Sequence, residues 1–188
     1  PLSVFLNKHP EMNMHIIYGN AEQLLAKLDN GEIHFALIEG YFPSHKYEQL
    51  LYYTDSFICV CAKNHTFSQK VNHIEDLLNE RILVRETGSG TRDLLDSYLK
   101  TYNLSYLDFK NHLEIESISS IISLLKNDCG ISFLYRLSVE EELKNGSLKE
   151  IKIQNLPLHH DTTFLWNKNS VYSKQYKEIC KELIGEYK

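Results

Sequence analysis

Short apolar runs alternate along this chain with segments in which apolar residues recur every three or four positions, a pattern that predicts strands alternating with helices. The runs are Ile33-His34-Phe35-Ala36-Leu37-Ile38, Phe57-Ile58-Cys59-Val60-Cys61-Ala62, Ile82-Leu83-Val84, His112-Leu113-Glu114-Ile115-Glu116, Ile131-Ser132-Phe133-Leu134 and Thr162-Thr163-Phe164-Leu165-Trp166. Leu2, Val4, Phe5 and Leu6 read as an amphipathic helix ended by His9-Pro10. Met12, Met14 and Ile16 then predict a strand. Asn20-Ala21-Glu22-Gln23 is a capping-box pattern opening a helix with Leu24, Leu25 and Leu28 on one face and Gly31 beyond its end. Strand, helix and strand make a βαβ unit, so Ile33–Ile38 is expected to be a buried parallel strand. Further on, Val71–Asn79 and Val139–Leu143 read as short helices, Leu148–Leu158 as a strand, and Tyr172–Leu183 as a closing helix carrying Tyr176, Ile179, Cys180 and Leu183.

Two of these strands deliver hydroxyl-rich helix starts. After Ile82-Leu83-Val84 comes Arg85-Glu86-Thr87-Gly88-Ser89-Gly90-Thr91-Arg92, and then Leu94, Leu95, Tyr98, Leu99 and Tyr102 at helical spacing. The helix is expected to start near Ser89, capped by Thr87 or Ser89. Glycines let backbone approach a ligand, while the hydroxyls of Thr87, Ser89 and Thr91, the unpaired first amides and Arg92 all favour negative charge. The same stretch also suits an ordinary capped connection. Three sharper readings fail: Gly90 is followed by Thr91 where a phosphate-binding loop needs Lys, Asp93 stands where a dinucleotide fingerprint needs glycine, and Thr87 and Thr91 stand two before and two after Ser89 where a nucleophile elbow needs glycines. In the second start, Ser117 is the expected cap and Ile118, Ile121, Ile122 and Leu125 the buried stripe, so that both helix starts are placed to face one cleft.

The architecture expected from this order is α/β with parallel sheets in two lobes: residues 1–65 with 161–188, and residues 66–160. In open sheets of that kind ligands bind outside the carboxyl ends of strands. The 188 residues suffice for a real core, and a net charge of −5 argues against the chain gripping nucleic acid by itself. No segment reads as a membrane span or signal peptide, which makes the cytoplasm the default location. Cys59, Cys61, Cys129 and Cys180 read as reduced structural thiols; His159-His160-Asp161 reads as a solvated turn, and the nine histidines show no metal-ligand spacing. No cofactor is called for, and no nucleophile with a base, carboxylate pair or metal cluster suggests an enzyme.

The order Phe5-x-x-x-x-Pro10, Gly19-Asn20-x-x-x-Leu24-x-x-x-Leu28-x-x-Gly31-x-Ile33-x-x-Ala36-Leu37, Arg85-Glu86-Thr87-Gly88-Ser89-Gly90-Thr91-Arg92 and Gly130-Ile131-Ser132-Phe133-Leu134 resembles the effector-binding domain of LysR-type transcriptional regulators. The resemblance covers nearly the whole chain. It implies the two-lobed type II periplasmic-binding-protein fold, with a small and here anionic metabolite bound between the lobes of a bacterial regulator. It also implies pairing into homodimers, with tetramers for the full-length protein, and DNA contact only through a winged helix-turn-helix that this chain does not contain. The family's first strand and the turn after it are likewise not recognisable, because the chain opens within the following helix.

Carried over residue by residue, the resemblance assigns Thr87, Gly88, Ser89, Gly90 and Thr91 to the loop lining the cleft. Ser117 and Ile118 match the second helix start, Ser132 and Phe133 a strand end beside it, and Glu39 and Gly40 the first-lobe strand exit. Tyr135 stands where many relatives have Pro or Ser. Arg92 has two roles open to it, binding the ligand or tying its helix to a neighbouring carboxylate. Arg85 and Glu86 can pair with each other. A solute-binding protein of a transport system, which shares the fold, is the alternative reading.

Overall fold

The computed structural model describes residues 2–39 and 41–185. Its backbone forms two compact units, Pro1–Thr54 with Asp161–Lys188 (unit 1) and Asp55–His160 (unit 2). The chain passes between them along two strands, β2 (Tyr47–Ala62) and β7 (Leu158–Asn167).

Local sequence builds unit 1 where its signals are self-contained. Helix α1 (Leu2–Lys8) stops two residues before Pro10, whose ring disfavours helical backbone in its predecessor. Helix α2 (Ala21–Asp29) starts with a complete capping box: the Asn20 side chain accepts the Gln23 amide at 2.9 Å, and the Gln23 side chain accepts the Asn20 amide at 3.2 Å. Gly31 follows at φ +72°, a conformation glycine adopts without strain.

Strand β1 (Ala36–Glu39) departs from expectation. It pairs antiparallel with β7, from Ala36 opposite Leu165 to Glu39 opposite Thr162. Its partner is thus the returning end of the chain, not a parallel neighbour from a βαβ unit. The strand expected at Met12–Ile16 does not form; Met12 and Met14 instead lean half-buried on the core. His159-His160-Asp161, expected in a turn, lies within β7, where exposure alternates along the strand.

The period-two rule sorts the β7 side chains of unit 1. Phe164 and Trp166 pack with Phe5 and with Tyr176, Cys180 and Leu183 of α6 (Ser173–Gly185), while Leu165 packs with Leu28, Ala36 and Ile38. Trp166 is buried with its indole N–H donating to Ser173 Oγ at 3.0 Å.

Unit 2 is a mixed sheet. Strand β3 (Arg81–Val84) runs parallel to β4 (Asn111–Glu114) and β5 (Ile131–Tyr135), whereas β2 runs antiparallel to both β5 and β6 (Leu148–Ile151). The expectation of wholly parallel sheets is therefore corrected: β2 reaches β5 from the opposite direction. Both faces are covered. Phe57, Cys59, Ile82, Val84 and Phe133 face helix α3 (Gly90–Lys100) through Leu95, Tyr98 and Leu99, and Ile58, Val60, Leu83 and Leu134 face helix α4 (Ile118–Lys126) through Ile121 and Leu125. Gly130 enters β5 at φ +145°, and a Cβ there would collide with the Arg81 carbonyl.

Two sequence expectations shrink here. Val71–Asn79 holds a single 3-10 turn, Ile74–Leu77, and the strand expected over Leu148–Leu158 ends at Ile151 because Asn155, at φ +63°, turns the chain ahead of a cis Leu156–Pro157 peptide. Helix α5 (Glu140–Asn145) ends on Gly146 at φ +74°. The four thiols are free; burial pushes Cys61 and Cys180 up to about 12 and Cys59 well above its ordinary value. Among the described residues no helix is long and apolar enough to cross a membrane, and no His/Cys/Asp/Glu group suits a metal.

Candidate functional site

The parallel part of unit 2 brings three strand ends to one edge. Val84 lies opposite Glu114, the Ile115 amide donates to the Val84 carbonyl at 2.9 Å, and Leu83 lies opposite Ser132 of β5. Beyond that edge, β3 and β4 each feed a helix start, α3 at Gly90 and α4 at Ile118. Parallel pairing therefore sets the two hydroxyl-bearing starts side by side, at the carboxyl edge where open α/β sheets bind ligands.

The two starts differ in how their donors are satisfied. At α4 the exposed Ser117 Oγ accepts the Ser120 amide at 3.3 Å and lies 2.8 Å from Ser119 Oγ. At α3 the cap is Ser89, not Thr87, and its side chain makes no capping bond. Ser89 and Thr91 are nevertheless only 3% and 5% exposed. The α3 ladder begins with the Asp93 amide on the Ser89 carbonyl at 3.0 Å, leaving the Gly90, Thr91 and Arg92 amides as the unpaired donors of a helix start. Gly88, at φ +86°, makes the turn that aims them. Thr87 is exposed at the tip of that turn.

The nearby cations are already matched. Arg85 is gripped by Glu86 through two bonds of 2.8 and 3.0 Å, the pairing open to it in the sequence. Arg92 is buried, and its guanidinium meets Asp96, the Arg85 carbonyl, Glu114 and the face of Tyr106. Burial disfavours its charge, but contacts with Tyr106, Asp96 and Glu114 outweigh that penalty and hold its pKa above the ordinary value. Attraction for an anion thus falls to amides and hydroxyls, which can coordinate an oxyanion without an opposing charge.

The remaining residues fall elsewhere. Ile118 is half-buried at the start of α4. Ser132 is inside the sheet, its Oγ donating to the Leu83 carbonyl at 2.7 Å, and Phe133 is in the core with its ring 6.1 Å from those of Phe57 and Tyr98. Tyr135 closes β5 beside Phe57. Glu39 belongs to unit 1, half-buried opposite Thr162, and Gly40 lies outside the described residues. Sequence reading passed over Asp96, Glu114 and Tyr106, whose meeting at Arg92 depends on tertiary contacts; only the i,i+4 spacing of Arg92 and Asp96 was visible locally.

Comparison with known proteins adds a family. The model of the LysR substrate binding domain matches residues 2–186. A probable RuBisCO transcriptional regulator of Chlorokybus atmophyticus is 25% identical over 190 residues, covering 99% of this chain and 61% of the relative. The chain thus spans about three-fifths of the length of such curated relatives. Among solved structures, the Synechocystis CcmR regulatory domain in complex with 2-PG superposes with a TM-score of 0.84 at 20% identity, covering all of this chain and 89% of the other. A sulfate-bound OxyR2 regulatory domain from Vibrio vulnificus gives 0.80 at 19% identity, covering 98% of this chain and 86% of the other. The shared fold is the two-lobed, periplasmic-binding-protein-like one of these regulatory domains.

Proposed function

Because this chain belongs to the LysR substrate binding domain family, we propose that it is the effector-sensing part of a transcriptional regulator and binds a small anionic metabolite at the carboxyl edge of unit 2. The observation that carries this reading is the α3 start, where the Ser89 side chain makes no capping bond and the Gly90, Thr91 and Arg92 amides lead the helix without ladder partners. Gly88 and Gly90 leave room for close approach, Thr87 and Ser117 with Ile118 supply the rim, and Ser132 with Phe133 fixes β5 behind them. The ligands named for the two structural neighbours, 2-PG and sulfate, are oxyanions and support the same class here.

Binding is the role, not turnover: relatives are named as regulators, which also disfavours the transport reading. The regulator acts in the cytoplasm as a homodimer, with DNA held by a separate N-terminal helix-turn-helix. The effector works by population shift, which requires unequal affinity for two states of the regulator, typically about 1–3 kcal/mol of coupling.

Thermal unfolding with sulfate, phosphate and small carboxylates tests the site. A ligand at about 100 times its dissociation constant adds about 2.7 kcal/mol, or roughly 5 to 11 °C for a chain of this size. Thr91→Val should reduce that shift while leaving the unliganded midpoint nearly unchanged, and Ser117→Ala should reduce it while lowering the unliganded midpoint by a few degrees, because its bond from the Ser120 amide is lost. An undiminished shift in both variants overturns the assignment.

A further inference from the structure

The Arg92 guanidinium touches four segments at once. Its Nε donates to both carboxylate oxygens of Asp96, at 3.0 and 2.9 Å, within α3. Its Nη1 donates to the Arg85 carbonyl at 2.9 Å, one residue beyond β3, and to Glu114 Oε2 at 3.2 Å, on the last residue of β4. Its carbon lies 3.9 Å from the centre of the Tyr106 ring. The side chain is 6% exposed, whereas those of Asp96 and Glu114 are nearly half exposed.

This geometry separates two roles that sequence alone leaves open. A ligand-binding arginine directs its fork at the ligand and contributes net positive charge. Here Nε and Nη1 are directed at protein groups, one ring face is covered, and two carboxylates outnumber the one cation. What the contacts do is mechanical. The β3–β4 ladder ends near Val84 and Ile115, and beyond it the chain diverges into two separate loops. Arg92 spans that divergence, joining the first turn of α3 to a residue three positions before Ser117.

Resting on the anion-site reading above, we propose that Arg92 is a positioning residue: it holds the starts of α3 and α4 in one fixed register without touching the effector, so that hydroxyls from both loops address a single ligand. A lysine has a point charge where this site uses a planar fork stacked on a ring, so Lys does not replace it.

The test is calorimetric titration of the 188-residue chain with sulfate, in the wild type, Arg92→Lys, Glu114→Ala and the double variant, combined with amide hydrogen exchange without ligand. Simple electrostatics says that removing the Glu114 charge tightens anion binding. Positioning says the reverse: Glu114→Ala and Arg92→Lys each weaken sulfate three- to tenfold, and the double variant is no weaker than Arg92→Lys alone. Exchange should also speed up in Arg92→Lys at Ile115 and Ile121, whose amides donate to the Val84 and Ser117 carbonyls across the gap from the substitution. If Glu114→Ala binds sulfate as tightly as the wild type or tighter while Arg92→Lys is impaired, Arg92 contacts the anion and the proposal is wrong. Unchanged exchange at Ile115 and Ile121 overturns it as well. A wild type silent to sulfate but showing the exchange coupling fails the anion reading and upholds the tie. Glu114 is half exposed, so its variant keeps the question open to test should Arg92→Lys fold poorly.

Discussion

Helices α2 and α3 begin in opposite ways. At α2 the sequence satisfies its own first amides, Asn20 and Gln23 exchanging bonds across the first turn. At α3 the Ser89 hydroxyl makes no such bond, although serine is among the preferred capping residues. The first start supports stability from within. The second leaves its first amides uncapped, and so is suited to take a partner from outside the fold. A capping residue in sequence therefore means two different things, depending on whether its side chain turns back onto its own helix.

The largest test of this contrast is Gly88→Val. A β-branched residue at φ +86° strains the turn that aims the α3 amides, so the variant should lose about 1–3 kcal/mol in denaturant unfolding; stability equal to the wild type would show that the turn does not need glycine. Next is Asn20→Ala, expected to lose about 1 kcal/mol by the same measurement with sulfate affinity unchanged. Ser89→Ala should reverse that pattern, costing no more than a few tenths of a kcal/mol because no capping bond is lost, while weakening sulfate several-fold by calorimetry. A full capping penalty at Ser89 would erase the distinction between the two helices.

The smallest effect sits at the far end of α2. The Tyr47 hydroxyl donates to Asp29 Oδ1 at 2.6 Å and, with Lys46, holds the carboxyl below its ordinary 3.8 despite some burial. A lowered carboxyl contributes stability above its ordinary value and loses it as pH falls through the folded one. Tyr47→Phe should therefore flatten the loss of stability between neutral pH and about pH 3. Urea midpoints at those two pH values measure it, and an unchanged acid slope would show that the bond carries none of it.

These particulars also show which parts were legible in advance. The α2 box, the β3-loop-α3 start and the Ser117 cap were readable because each signal spans only a few residues. The direction of β1 was not, since its partner arrives more than 120 positions later. The long first half of β2 stayed hidden because Tyr47–Asp55 mixes polar and apolar residues on partly exposed faces, and His159–Asp161 was misread as a turn because an alternately exposed strand end has polar composition. Met12–Ile16 shows the converse, strand-like alternation without a ladder. At the site, the loop was legible as chemistry, while the fate of Arg92 depended on Tyr106 and Glu114, to which no local spacing pointed.

The interrupted composition of unit 1 has a consequence for how the chain is made. Unit 2 is one unbroken stretch, Asp55–His160, whereas unit 1 needs residues from both ends of the chain: His9 meets Glu182 at 2.9 Å across 173 positions, and β1 finds its partner only in β7. During synthesis the second unit is complete while the first is still half-written, so α1, α2 and β1 wait with their apolar faces uncovered until the last strand and helix leave the ribosome. Contacts so distant in sequence form slowly, and partly folded chains with exposed apolar surface aggregate. Of the two units, the one begun earlier therefore closes later, and the interval between is when a chaperone has the most to protect.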